Sequence, residues 1–159
     1  MNYSTIKKQV LLLIESTNNL ISDLSNVSSL LFNTLDDVSW VGFYIYSNGK
    51  LLLGPFMGKP ACTEIETGKG VCGTAFAKKE TVIVENVHVF SGHIACDSAS
   101  NSEIVVPIFI DDKVVGVLDL DSASFNRFNE EDKKGLEEIV ELISKSFSKE
   151  QFILWKTFI

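Results

Sequence analysis

The sequence predicts an α+β fold in which helices cover an antiparallel sheet. Apolar residues recur at three- and four-residue spacing at both ends of the chain, two hairpin signals lie between them, and neighbouring strands are joined by hairpins rather than crossovers. At the N-terminus Ser4 is placed to cap a helix over about residues 5–15, and Leu20, Leu24, Val27, Leu30 and Leu31 mark a second helix. Residues 39–46 are aromatic and β-branched, turn at Ser47-Asn48-Gly49 and return through Leu51-Leu52-Leu53, which reads as a hairpin. A short helix is expected after Gly73 and a strand near residues 81–84. Residues 85–102 are rich in Asn, Ser, His, Gly and Asp and read as a long loop of the functional kind.

A second hairpin pairs residues 103–110 with 114–121. A three-residue loop, Asp111-Asp112-Lys113, would set Glu103 opposite Asp121 and gather Ile104, Val106, Ile108, Ile110, Val114, Leu118 and Leu120 on one apolar face. The other face then ends in Glu103, Asp119 and Asp121 at one edge. The last helix begins after Asn129, with Glu130, Glu131 and Asp132 in its first turn and Leu136, Ile139, Val140 and Ile143 as its apolar stripe. The expected organisation is one domain over 1–159, with helices in 1–36, sheet core and C-terminal helix in 38–149, and an apolar tail in 150–159.

A chain of 159 residues that is 45% hydrophobic needs no disulfide to fold. Its net charge of −7 speaks against nucleic acid, which calls for clustered Lys and Arg. No apolar run approaches the ~18 residues of a membrane span, and no secretory pattern is visible, so a cytoplasmic location and no membrane partner are expected. In a reducing compartment, cysteines read as catalytic, redox-active or metal-binding before they read as staples.

The three cysteines, Cys62, Cys72 and Cys96, all sit among loop-forming residues. The run Gly68-Lys69-Gly70-Val71-Cys72-Gly73 matches G-x-G-x-x-G, but without a βαβ unit it reads as a tight turn that exposes Cys72 near a helix N-terminus, where a thiolate is favoured. His88, His93, Cys96 and Cys72 fit no structural zinc spacing, and no resident metal is expected. Trp40 and Tyr44 face the same way on a strand, and Gly42 between them is expected to leave room for a ligand. Glu103, Asp119 and Asp121 repel one another unless a cationic ligand, a metal, a shared proton or solvent relieves them.

The stretches Trp40-Val41-Gly42-Phe43-Tyr44, Gly54-Pro55-Phe56, Gly58-Lys59-Pro60-Ala61-Cys62, Gly68 to Gly73, Gly92-His93-Ile94-Ala95-Cys96-Asp97, Ser102 to Pro107 and Gly116 to Ser122 together resemble the free methionine-(R)-sulfoxide reductases. The resemblance runs over about residues 40–141 and includes all three cysteines. It implies a single GAF domain, an antiparallel sheet flanked by N- and C-terminal helices. By resemblance, Cys96 attacks the sulfoxide sulfur and becomes a sulfenic acid, Cys72 resolves it as a disulfide, and Cys62 is the spare or alternative resolving thiol. One of Glu103, Asp119 and Asp121 would protonate the sulfoxide oxygen while the others meet the substrate ammonium. Trp40 and Tyr44 would enclose the methyl-sulfur end. No bound cofactor is implied. The implied partners are free methionine-(R)-sulfoxide and thioredoxin, the latter recycled by NADPH and thioredoxin reductase, with a homodimer as a further expectation. The competing readings are a non-catalytic GAF sensor module for a small molecule and a thiol redox switch.

Overall fold

The computed structural model describes residues 2–15, 19–92, 99–147 and 151. Helices α1 (Tyr3–Glu15) and α2 (Leu20–Thr34) lead into strands β1 (Trp40–Ser47), β2 (Lys50–Met57) and β3 (Glu64–Glu66), followed by helix α3 (Gly70–Lys78). Strand β4 (Val82–Val84), a 3₁₀ turn at Val87–Val89, strands β5 (Ser102–Ile110) and β6 (Lys113–Ser122), and helix α4 (Glu130–Ser146) complete the order. The six strands form one sheet in the order β3-β2-β1-β6-β5-β4, and every neighbouring pair is antiparallel.

Strand alternation divides the apolar residues between two faces. Val41, Phe43, Ile45, Ile104, Val106, Ile108, Leu118 and Leu120 pack beneath the apolar stripes of α1, α2 and α4. Trp40, Tyr44, Val105 and Val117 lie on the opposite face with Val71, Cys72 and Ala75 of α3. The first core is the larger. It is pinned where Tyr3 Oη donates to the buried Asp132 at 2.7 Å, while Arg127 donates to the other Asp132 oxygen at 3.0 Å. Asp132 also completes a capping box with Asn129, so the end of α4 identified by its cap is tied directly to α1.

Three details differ from the sequence expectations. The first helix begins at Tyr3, and Asn2 rather than Ser4 supplies the cap, accepting from the Thr5 N–H through its side chain at 3.2 Å. Helix α3 begins at Gly70 rather than after Gly73, so Cys72 lies inside its first turn. The β5–β6 hairpin closes through a two-residue turn at Asp111 and Asp112, with φ of 49° and 60°, not a three-residue loop. A two-residue turn alone would invert the faces. The inversion is cancelled by a bulge: Ile108 pairs with Gly116 and Phe109 with Val114, leaving Val115 as the extra residue. Val115 consequently takes the helix-facing position expected of Val114, and Glu103 still pairs with Asp121.

Candidate functional site

The α3 face of the sheet brings the predicted carboxylates together. Glu103 on β5 is opposite Asp121 on β6, and Asp119 is flanked by Gly42 of β1 and Val105 of β5. Glu103 and Asp119 are 6% and 5% exposed, despite their charge. Helix α3 places Cys72 directly over them, with its Sγ 3.9 Å from Glu103 Oε1. Ligand-capable atoms of Cys72, Glu103 and Asp119 all lie within 4.8 Å of one another.

Burial raises the Glu103 carboxyl well above its ordinary value, with repulsion from Asp119 and Asp121 and hydrogen bonding to Asp119 in the same direction. Burial and the Asp121 charge also raise Asp119, opposed by hydrogen bonding from Cys72 and Glu103. The pair therefore holds a proton, and Glu103 is the member better placed to keep it. One Asp119 oxygen, Oδ1, is buried without a hydrogen-bond partner.

The same environment overturns the expectation of an exposed, thiolate-favouring Cys72. The residue is 3% exposed. A helix N-terminus is worth about 0.3–1 kcal/mol to an anion, whereas full burial shifts a pKa by up to ~3–5 units at about 1.4 kcal/mol each, so burial prevails. Burial first, then the Asp119 and Glu103 charges, push the Cys72 thiol up. Cys72 is a free thiol, while Cys62 is disulfide-bonded. In this state Cys62 is thus in a disulfide, which matches the alternative resolving role implied for it, and Cys72, the resolving thiol first implied, is not. Cys96 and His93 lie outside the described residues. The ends of their segment are held nearby: the Gly92 carbonyl accepts from Gly70 N–H at 3.1 Å, and Asn101 N–H donates to the Ser122 carbonyl at 2.8 Å.

Trp40 and Tyr44 share the carboxylate face, as expected, but Gly42 does not leave space between them. The Trp40 indole folds across it, and a Cβ at Gly42 would lie 2.3 Å from Trp40 Cη2. Gly42 provides the room for that indole, and the expected ligand space at this glycine is filled by the ring itself. Both aromatics are instead anchored to the segment that bears Cys62. Trp40 Nε1 donates to the Lys59 carbonyl at 3.1 Å, and Tyr44 Oη donates to the Cys62 carbonyl at 2.9 Å.

Phe56 belongs to the stretches that carry the resemblance, but the sequence reading gave it no place in the site. It stacks on Trp40 with ring centroids 5.4 Å apart, while Trp40 stacks on Tyr44 at 6.0 Å. Its partner across the β1–β2 ladder is Gly42, so an aromatic opposite a strand glycine was the available signal. Of the other loop residues, His88 is exposed at the 3₁₀ turn and its Nε2 lies 2.7 Å from Asn101 Oδ1, an anchor for the loop rather than a participant in the carboxylate cluster.

Residues 22–147 match the family model described as the GAF domain. The chain is 46% identical to the free methionine-R-sulfoxide reductase of Escherichia coli K12, over 90% of this chain and 87% of that protein. It is 44% identical to the free methionine-R-sulfoxide reductase of Saccharomyces cerevisiae, over 92% of this chain and 88% of that one. The structure of free methionine-R-sulfoxide reductase from Neisseria meningitidis in complex with its substrate superposes with a TM-score of 0.90 at 38% identity, covering 96% of this chain and 91% of that chain. No helix among the described residues is long and apolar enough to cross a membrane.

Proposed function

Because this chain belongs to the family of free methionine-(R)-sulfoxide reductases, built on the GAF domain, we propose that it reduces free L-methionine-(R)-sulfoxide to L-methionine by thiol chemistry, with thioredoxin as the recycling reductant. The observation that supports this reading most directly is a proton-holding carboxyl, Glu103, buried against Asp119 and Cys72 on the sheet face whose aromatics anchor a disulfide-bonded cysteine.

A sulfoxide sulfur becomes a useful electrophile only as its oxygen takes a proton, and a raised carboxyl supplies one at neutral pH. Glu103 is assigned that transfer. The Cys96 thiolate adds to the sulfur of the protonated sulfoxide; the hydroxyl then shifts from that sulfur to the Cys96 sulfur as the new S–S bond breaks, so methionine leaves as the thioether and Cys96 is left as a sulfenic acid. The Cys62 thiolate then attacks the sulfenic sulfur and water departs, leaving a disulfide. A dithiol reductant opens it by exchange and is itself oxidised, with NADPH and thioredoxin reductase behind it. Cys62 takes the resolving role here because it is the described cysteine found in a disulfide. Cys72, kept protonated, is a poor nucleophile and lines the site beneath the substrate.

The negative carboxylates Asp119 and Asp121 suit the substrate ammonium, and the Trp40 ring suits its methyl-sulfur end. The test is a thioredoxin-coupled NADPH assay with free L-methionine-(R)-sulfoxide, its (S) epimer and an N-acetylated, C-amidated (R) form. Turnover of the free (R) form alone is expected, since blocking either charge leaves an unpaired buried partner at about 3–5 kcal/mol. Comparable kcat/KM for the free and blocked (R) forms, or full turnover by Cys96→Ser, would overturn the reading.

A further inference from the structure

We propose that Cys72, Glu103 and Asp119 also form a three-ligand site for a thiophilic divalent cation of the zinc class. The three side chains come from α3, β5 and β6, and their ligand atoms are mutually within 4.8 Å. In a tetrahedral site with Zn–S near 2.3 Å and Zn–O near 2.0–2.2 Å, neighbouring ligand atoms stand roughly 3.3–3.6 Å apart, so movements on the order of 1 Å bring these groups to coordination distance.

Crowded acids alone would not justify a metal. The second observation is Asp119 Oδ1, buried without a hydrogen-bond partner on a residue 5% exposed. A buried carboxylate oxygen that no protein donor satisfies is a vacant acceptor for a cation. The donor set then selects the ion. A thiolate with two carboxylates suits zinc, cadmium or cobalt, whereas magnesium and calcium call for six or more oxygen ligands and gain nothing from sulfur. On binding, the Cys72 S–H proton and the proton held by the Glu103–Asp119 pair leave to solvent, and the thiolate lone pair and both carboxylates enter the metal's coordination sphere, with no change of oxidation state. Three protein ligands leave a fourth position for water.

Binding itself does not rest on the reductase reading. Its consequence does: the metal would occupy the carboxylates assigned to proton transfer and ammonium recognition, making zinc a competitive inhibitor of sulfoxide turnover.

The probe is Co²⁺ added to the protein with the Cys62 disulfide intact, a state in which Cys72 is a free thiol. A near-ultraviolet sulfur-to-cobalt charge-transfer band that saturates at one equivalent, and is bleached by one equivalent of Zn²⁺, is expected. Cys72→Ser should abolish the band. Asp119→Asn and Glu103→Gln should each weaken cobalt binding by at least about tenfold, with folding of every variant checked by circular dichroism. Absence of the band in the wild-type protein, its persistence in Cys72→Ser, or wild-type affinity in both amide variants would overturn the site. Zinc-loaded protein that reduces free methionine sulfoxide at the metal-free rate would overturn the inhibitory overlap while leaving the binding result intact.

Discussion

Cys72 Sγ stands 3.9 Å from Glu103 Oε1, a thiol facing a carboxyl group in a place sheltered from solvent. The influence is one-sided: burial first, then the Asp119 and Glu103 charges, push the thiol up, whereas hydrogen bonding from Cys72 lowers Glu103, whose carboxyl burial and the Asp119 and Asp121 charges raise nonetheless. Cys72 in the folded protein should therefore react slowly with iodoacetamide at neutral pH, losing about tenfold in thiolate fraction for every unit by which its pKa is raised. Unfolding in urea should release it. Modification of native Cys72 at the rate of the unfolded chain, followed by peptide mass analysis, would contradict the burial of the thiol.

The carboxylates should trade stability for activity. Glu103 and Asp119 face Cys72 from α3, Asp121 from β6 and the Tyr44 phenol from β1; burial and then neighbouring carboxylate charge raise both their pKa values, while hydrogen bonding from Cys72 lowers both. A folded-state carboxyl raised above its unfolded value favours the native state at low pH. That contribution is lost as pH rises from the ordinary carboxylate range through the raised folded value. Glu103→Gln and Asp119→Asn remove the loss, so their melting temperatures should decline less than wild type between pH 5 and 8, conditions set for the assay around the usual stability range. At neutral pH a gain of about 1 kcal/mol would appear as roughly 2–4 °C. Glu103→Gln should at the same time lose about 10²–10⁴-fold in methionine formation, and the wild-type rate should fall as pH rises through the Glu103 pKa. Wild-type activity in this variant would remove Glu103 as the proton donor.

The faces of the sheet were legible from the sequence because the pattern at Ile104, Val106 and Ile108 against Glu103 and Val105 has a strict period of two. Where the odd residue of the hairpin resides was not legible. An extra residue in the turn and one in a strand produce the same faces beyond it, and Asp tolerates the positive φ that closes the tighter turn. The burial of Cys72 was hidden for another reason. Its glycines resemble a loop, yet Gly73 serves close packing, since a Cβ there would meet the Glu66 carbonyl at 2.4 Å. Trp40 folding over Gly42 likewise follows from a rotamer fixed by Phe56 and Lys59, which no local pattern encodes.

Deletion of Val115 should therefore be tolerated far better than deletion of a paired residue. It makes Phe109–Val114 and Ile108–Gly116 consecutive pairs and leaves Glu103 opposite Asp121, so only the packing of one half-buried valine is lost. The deletion variant is expected to keep a cooperative thermal transition. Deleting Val117 from the same variant should abolish it, because no extra residue is left to absorb the slip and Asp119 would then stand opposite Val106 on the helix-facing side. A Val115 deletion variant with no cooperative transition would show that the bulge is needed for more than the register.

Tyr44 distinguishes positioning from substrate contact. Its hydroxyl donates to the Cys62 carbonyl at 2.9 Å and its ring stacks on Trp40, so Tyr44→Phe keeps the ring and removes one hydrogen bond. The bond is worth about 0.5–1.5 kcal/mol, which corresponds to roughly 2–10-fold in a rate that depends on it. If the bond orients Cys62, the single-turnover yield and rate of methionine should be unchanged, while the Cys96 sulfenic acid persists longer before the disulfide closes. Trapping with dimedone at timed intervals, followed by mass spectrometry, measures that lifetime. If Tyr44 instead contacts the sulfoxide through its hydroxyl, methionine formation slows and the sulfenic acid lifetime does not change; that outcome would return Tyr44 to the substrate pocket and leave the Cys62 segment to be held by Trp40 through Lys59.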